Sequence, residues 1–173
     1  IPPLSLVCDD LGMYYDPARA SRLEQLITAR ATLRPDQKRR AERLIANLTR
    51  AGLSKYNLGQ NAPTLPEGHR ILVPGQVEDD ASIVLGAGTV ASNLELLELT
   101  RRENPDAIIL YKPHPDVEAG LREGAVPEDA LSELADQVLT QADPATLLRE
   151  VNALWTMTSL MGFEALLRGV SVT

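Results

Sequence analysis

Ile71-Leu-Val-Pro-Gly-Gln-Val-Glu-Asp-Asp-Ala-Ser82 is a short apolar run that breaks at Pro74-Gly75 and passes into a polar, acidic loop. The same design returns at Ala107-Ile-Ile-Leu-Tyr-Lys-Pro-His-Pro-Asp116 and at Ala153-Leu-Trp-Thr-Met-Thr-Ser159. Runs of this length bounded by turns read as buried strands. Two further runs, Gln137–Thr140 and Val170–Val172, complete a set of five. Between the strands lie helical patterns: Ala91–Glu103, a short one near Glu128–Ala135, Pro144–Glu150 and Leu160–Arg168. Ser92 followed three residues later by Glu95 reads as a capping box, and Asp143-Pro144 as an N-cap with proline at the first helical position. Strands alternating with helices predict an α/β fold, a doubly wound parallel sheet. In such sheets ligands sit beyond the carboxyl ends of the strands.

Upstream the period is helical, with Pro17–Arg30 and Pro35–Ala51 as the expected helices and Gly52 closing the second. Asn61–Gly68 is rich in turn formers and reads as a linker, giving a helical segment over 1–60 and a Rossmann-like domain over 61–173. Charge divides at the same place. Of 17 Lys/Arg and 24 Asp/Glu, ten basic and six acidic residues fall in 1–60, leaving seven and eighteen for 61–173. An acidic main domain is a poor general binder of nucleic acid, so an anionic ligand there needs a few aimed donors. The run Lys38-Arg-Arg-Ala-Glu-Arg43 suits a solvated helix face better than a lipid contact.

At 173 residues, 44% hydrophobic and 24% charged, the chain is an ordinary globular sequence. Trp155 and Phe163 are its only Trp and Phe, so the core must be aliphatic. The single Cys8 cannot form an internal disulfide and fits a reducing cytoplasm. No run approaches the roughly 20 apolar residues that span a bilayer. Ile1-Pro-Pro-Leu4 has neither an initiator Met nor a basic signal region, and Thr173 directly follows an apolar run. Both ends are read as cuts in a longer chain.

Three strand ends hold the chemistry. After the first come Gln76, Glu78, Asp79, Asp80 and Ser82. Crowded carboxylates need partners or raised pKa values, and the group reads either as a nucleophile or general base or as an acidic surface turn. After the second, prolines on both sides of His114 stiffen the presentation of its imidazole, with Lys112 beside it. That pair suits a phosphate or carboxylate; the alternative is a histidine capping a nearby carbonyl. After the fourth, Thr156, Thr158 and Ser159 precede a helix whose first turn contains Gly162, with Glu164 five residues beyond Ser159. Free N–H groups, a helix dipole and hydroxyls make an anion site. Otherwise these are plain N-cap residues, with Glu164 in a helix–helix pair.

Leu72–Ile83, Tyr111–Val117 and Thr156–Leu167 resemble the capsule polysaccharide biosynthesis β-Kdo transferases, the KpsC-like family. Leu4–Asp16 and Ser21–Glu24 are similar to the segment joining that family's two Rossmann-like domains, so the likeness covers nearly the whole chain. The resemblance implies the nucleotide-sugar-binding half of a GT-B glycosyltransferase, most of the acceptor half being absent. It implies a CMP-Kdo donor, retention of configuration and no cofactor or metal. Carried over, Lys112 and His114 meet the CMP phosphate, Thr158 and Ser159 hold it, and Glu164 takes the ribose or cytosine side. The Gln-x-x-x-Asp-x-Ser motif runs from Gln76 to Ser82, with Gln76 among the expected donor contacts, Asp80 as the candidate nucleophile and Asp79 second. The implied acceptor is a phosphatidylglycerol-linked glycan, the implied partners are capsule export and synthesis proteins, and the implied place is the cytoplasm or the inner-membrane surface. The competing readings are a GT-B-like sugar-nucleotide epimerase, a UDP-sugar transferase, and a non-catalytic nucleotide-binding module.

Overall fold

A computed structural model describes residues 8–55 and 63–173. The boundary expected near 60–61 and the opening Ile1–Val7 lie outside the described residues. Five parallel strands form one sheet: β1 (Arg70–Pro74), β2 (Ile108–Lys112), β3 (Gln137–Val138), β4 (Ala153–Leu154) and β5 (Ser171–Val172). Their order is β3-β2-β1-β4-β5. The chain therefore winds outward from β1 in one direction and then restarts beside β1 in the other. The carboxyl ends of β1 and β4 flank this switch point, where such sheets open a crevice.

Alternation along the strands explains the doubly wound arrangement. Leu72, Leu110 and Leu154 point to one face and pack with Leu147 and Leu148 of α7 (Pro144–Glu150) and Ala165 of α8 (Leu160–Leu166). Ile71, Val73, Ile109 and Tyr111 point to the other and pack with Leu96 and Leu97 of α4 (Asn93–Glu103), with α6 (Glu128–Leu134) alongside. Each fully buried Leu, Ile or Val contributes roughly 1.5–3 kcal/mol, and with two sheet faces to cover, β1 and β2 read as continuous apolar runs.

The expected caps are present. Ser92 and Glu95 exchange capping-box bonds at α4, and Asp143 accepts from Thr146 N at 2.9 Å at the start of α7. The first expected helix is shorter than its pattern. Residues 17–20 are not helical, because Ser21 and Glu24 close a capping box that starts α1 (Arg22–Ala29). α2 (Pro35–Arg50) runs as expected, with Pro35 at its first position and Gly52 at φ 63 beyond its end. Neither helix buries a residue. Two short helices were not anticipated, α3 (Ala81–Gly86) and α5 (Pro115–Glu118). Asp80 caps the first and His114 caps the second.

Candidate functional site

The three polar loops meet at the carboxyl edge of the sheet, and Gln76 is the residue that joins two of them. β1 runs out through Gly75, whose N–H is held by the Lys112 carbonyl at 2.8 Å. A Cβ on Gly75 would lie 2.6 Å from the Tyr111 hydroxyl, so glycine is required for closeness. Gln76 then turns toward β4. Its Nε2 donates to Thr158 Oγ1 at 2.9 Å, and its Oε1 accepts from Thr158 N at 3.0 Å and from Thr156 Oγ1 at 3.2 Å. The Gln76 backbone is held in turn by Asn93, which accepts from Gln76 N and donates to the Gln76 and Gly124 carbonyls, each at 2.8 Å. Asn93 is completely buried at the first position of α4.

The Gln76 side chain, expected among the ligand contacts, is thus a clamp whose amide groups are spoken for within the protein. Asn93 escaped sequence reasoning because an asparagine at a helix start looks like an ordinary polar residue.

Each of the crowded acids has its own partner. Glu78 Oε1 accepts from Asn93 N at 2.7 Å. Asp79 is paired with Arg122, whose Nη2 and Nε donate to Oδ1 at 2.8 and 3.2 Å. Asp80 Oδ1 accepts from Ser82 N at 2.8 Å and from Ser82 Oγ at 2.7 Å. The Ser82 bonds, backbone first, hold the Asp80 carboxyl below its ordinary value, with Arg122 and Lys55 adding positive field. Among the described residues no hydrogen bond is made to Asp80 Oδ2, so an ionised oxygen remains to act. Asp79 Oδ2 likewise accepts no hydrogen bond among the described residues, but its carboxylate is paired with the Arg122 guanidinium, whereas Asp80 has only the neutral Ser82 as its hydrogen-bond partner.

On the second loop the backbone of His114 is extended, φ −69 and ψ 138, and its Nδ1 accepts from Asp116 N at 3.2 Å. That bond assigns the proton of the neutral ring to Nε2. Its side chain is 19% exposed, reachable from solvent. Burial is the main cause that lowers its pKa; Lys55, Lys112 and Arg122 act in the same direction, while Asp116 opposes them. Lys112 is only 4% exposed, and its pKa is lowered by burial against the opposing fields of Glu118 and Asp143. Burial, helped by the nearby cations, disfavours the charged histidine, and the same cations favour an arriving anion.

The third loop is more self-satisfied than its sequence implies. Thr158 N goes to Gln76, Ser159 N to Thr156 Oγ1 at 3.3 Å, and Met161 N to the capping Ser159 Oγ at 3.2 Å. The backbone donors expected to face an anion are mostly engaged. Thr158 Oγ1 accepts from Gln76 Nε2 and Ser159 Oγ from Met161 N, and among the described residues neither hydroxyl donates a hydrogen bond. Gly162 fits its place because a Cβ would approach Thr156 Cγ2 to 3.1 Å. Glu164 Oε1 accepts from Lys55 N at 2.7 Å, while Arg168 Nη2 donates to the Leu53 carbonyl at 2.7 Å. These bonds bring the segment after α2 to the site, and with it Lys55.

Beside this edge a groove of about 260 Å³ is lined by Tyr14, Tyr15, Ser82, Gly86 and Thr158 among others. No cluster of metal-ligating side chains occurs among the described residues.

The chain matches the family described as capsule polysaccharide biosynthesis protein over residues 39–173. It is 46% identical over 175 residues to the capsule polysaccharide modification protein LipA of Neisseria meningitidis serogroup A, covering 100% of this chain and 25% of that protein. It is 44% identical over 181 residues to the lipopolysaccharide-processing protein LpsZ of Rhizobium meliloti, covering 99% of this chain and 40% of the other. Among solved structures it is similar to the β-Kdo 2,4 transferase of Thermosulfurimonas dismutans KpsC, with a TM-score of 0.84 at 32% identity over 99% of this chain and 54% of that one. The β-Kdo 2,7 transferase of the same KpsC gives 0.77 at 35% identity, over 95% of this chain and 50% of that one. The chain thus spans a quarter of the length of LipA and about half of each solved transferase chain.

Proposed function

The chain belongs to the capsule polysaccharide biosynthesis family, and from that premise we propose that it is the donor-binding half of a GT-B glycosyltransferase that transfers Kdo from CMP-Kdo with retention. The observation that carries the reading is the Gln76 clamp. By bonding Thr156 and Thr158 it holds the Asp80 loop and the Thr158-Ser159 loop together at the switch point of the sheet. Lys112, in register with Pro74 at the end of β1, leads into the His114 loop on the other side.

In this reading His114 Nε2–H and the Thr158 and Ser159 hydroxyls bind the CMP phosphate, with Lys112 supplying charge beneath them. Asp80 Oδ2 attacks the anomeric carbon as the bond to the phosphate oxygen breaks, giving a sugar ester on Asp80 and free CMP. An acceptor hydroxyl then attacks the same carbon, loses its proton and releases the Asp80 carboxylate. Two displacements restore the original configuration. Glu164 anchors the Lys55 segment through Oε1 and offers its other carboxylate oxygen to the ribose or cytosine side.

The acceptor we propose is a phosphatidylglycerol-linked glycan, met at the cytoplasmic face of the inner membrane, where capsule synthesis and export proteins are the natural neighbours. No helix among the described residues is long and apolar enough to cross a membrane. Transfer by the full-length protein from CMP-Kdo to such an acceptor tests the activity. Calorimetric titration of this chain with CMP, UMP and UDP tests the nucleotide: CMP should bind well ahead of the others, and equal affinities would sink the CMP assignment in favour of a UDP-sugar enzyme.

A further inference from the structure

Arg122 belongs to none of the three motif loops, yet it is stitched between two of them. Leu121 N and Arg122 N both donate to the Asp116 carbonyl, at 2.8 and 3.2 Å, which ties the turn to the His114 loop. One residue later Glu123 O accepts from Glu78 N at 3.2 Å, which ties it to the Asp80 loop. Gly124 follows at φ +126, so close that a Cβ would lie 2.6 Å from the Gln76 carbonyl. Anchored on both flanks, the side chain reaches Asp79 through Nε and Nη2. Its remaining nitrogen, Nη1, makes no hydrogen bond among the described residues, and the side chain is 40% exposed. Its charge acts on Asp80 and on His114 alike.

Such a cation answers a difficulty in the proposed reaction, on whose reading this inference rests. A 2-keto sugar acid carries its carboxylate on the anomeric carbon itself. Attack by Asp80 therefore presses one carboxylate against another, with the phosphate leaving nearby. Without a cation placed beside nucleophile and leaving group together, the donor's own charge keeps it from Asp80. A guanidinium suits the task because its planar edge offers paired N–H donors to a carboxylate. We propose that Arg122 binds the anomeric carboxylate of the donor and so selects 2-keto acid sugars over neutral ones. Asp79 is then the positioning residue that fixes the guanidinium plane, which gives the second acid of the motif a role without making it a nucleophile.

The test uses the full-length protein and compares CMP-Kdo, which carries the carboxylate, with CMP, which does not. Arg122→Gln should raise the KM for CMP-Kdo at least tenfold while the inhibition constant of CMP moves less than twofold. Arg122→Lys should recover part of the loss, and it carries the same comparison if Arg122→Gln does not fold. Equal losses for both ligands would place Arg122 on the phosphate or in the fold, and no loss for either would remove it from the site; both overturn the inference. Failure of the wild-type protein to use CMP-Kdo at all would instead overturn the reading beneath it, whereas active wild type with an indifferent Arg122→Gln defeats this proposal alone.

Discussion

Gln76 and Thr158 are bonded to each other twice, Nε2 to Oγ1 at 2.9 Å and Thr158 N to Oε1 at 3.0 Å, across the gap between the first and fourth strand ends. The two residues are 82 positions apart in the chain. Their pairing sets the spacing between the Asp80 loop and the Ser159 turn, so the order of the site depends on a side chain that need not touch substrate.

Gln76→Ala should therefore behave as a structural change with a functional cost. It leaves Thr158 N and the Thr156 hydroxyl without their buried acceptor, and an orphaned buried group costs about 1–3 kcal/mol. Chemical denaturation should show a loss of that size. CMP affinity should fall with it, because Thr158 is no longer held in place. Unchanged stability in the variant would mean that the clamp is not a fixed feature.

Gly124→Ala tests the packing of the loop that carries Arg122. Its φ of +126 is poorly tolerated by residues with a Cβ, and the added atom meets the Gln76 carbonyl at 2.6 Å and Asn93 Nδ2 at 2.9 Å. A strained backbone of this kind costs of order 1–3 kcal/mol before the clash is counted. The variant should melt several degrees lower, and wild-type melting behaviour would show that the loop can move aside freely.

His114→Ala should weaken CMP binding by about 1.5–3 kcal/mol, the range for a hydrogen bond to a charged group. Ser159→Ala should cost less, because Thr158 and His114 remain. Isothermal titration with each variant checks this, and EDTA should leave the wild-type affinity unchanged. If neither substitution alters affinity while the fold is intact, CMP binds elsewhere.

The protonation of the same histidine supplies an independent check. Burial and three cations lower its pKa, so the proton is lost at a pH below 6.5 in the free protein. A phosphate against Nε2 adds negative charge and stabilises the protonated ring, so the pKa must rise when CMP binds. By the same sign, His114 favours the folded state above pH 6.5 and disfavours it as pH falls toward the lowered value, since the unfolded chain takes up the proton first. The chain has two histidines, so the His114 ring resonance is identified by its disappearance in His114→Ala. A titration midpoint that does not move on adding CMP would contradict the contact.

The sheet was legible from sequence because β1 and β2 are buried on both faces, and every residue from Ile71 to Val77 is buried. Caps with oxygen side chains, at Ser92 and Asp143, were equally readable because they act over three residues. The three loops could also be found, since sharp exits such as Gly75 and polar residues after apolar runs are local signals. What their side chains do was not readable in the same way. The partners of Gln76, Glu164 and Asp79 lie 82, 109 and 43 positions away. Nothing in the periodicity of the chain specifies which distant donor will meet which acceptor. Asn93, Arg122 and Lys55 were missed for that reason. The short helices α3 and α5 were missed because six and four residues, less than two turns, are too few to display a period.

Asp80 provides the most decisive prediction. It combines three properties that a nucleophile requires: it lies at the carboxyl end of a strand beside the switch point, its carboxyl is held ionised by Ser82, and Oδ2 carries no hydrogen bond among the described residues. The Ser82 bonds hold its carboxyl below the ordinary aspartate range, so Asp80 is already charged at neutral pH and any acid limb in the rate near neutrality must come from another group. In the full-length protein Asp80→Asn should abolish transfer from CMP-Kdo, because an amide cannot form the sugar ester. CMP binding should be nearly unchanged, since the proposed phosphate contacts lie on the other two loops. Mass spectrometry of the wild-type protein with CMP-Kdo and no acceptor should find the sugar on a peptide containing Asp80. Asp79→Asn separates the neighbours: it frees Arg122 and should impair use of the donor, yet leave the sugar ester able to form. An active Asp80→Asn beside a dead Asp79→Asn would move the nucleophile by one residue and, with it, return Arg122 to a purely structural pairing. Activity in both variants would place the nucleophile outside this loop, and Asp80 would then be only the cap of α3.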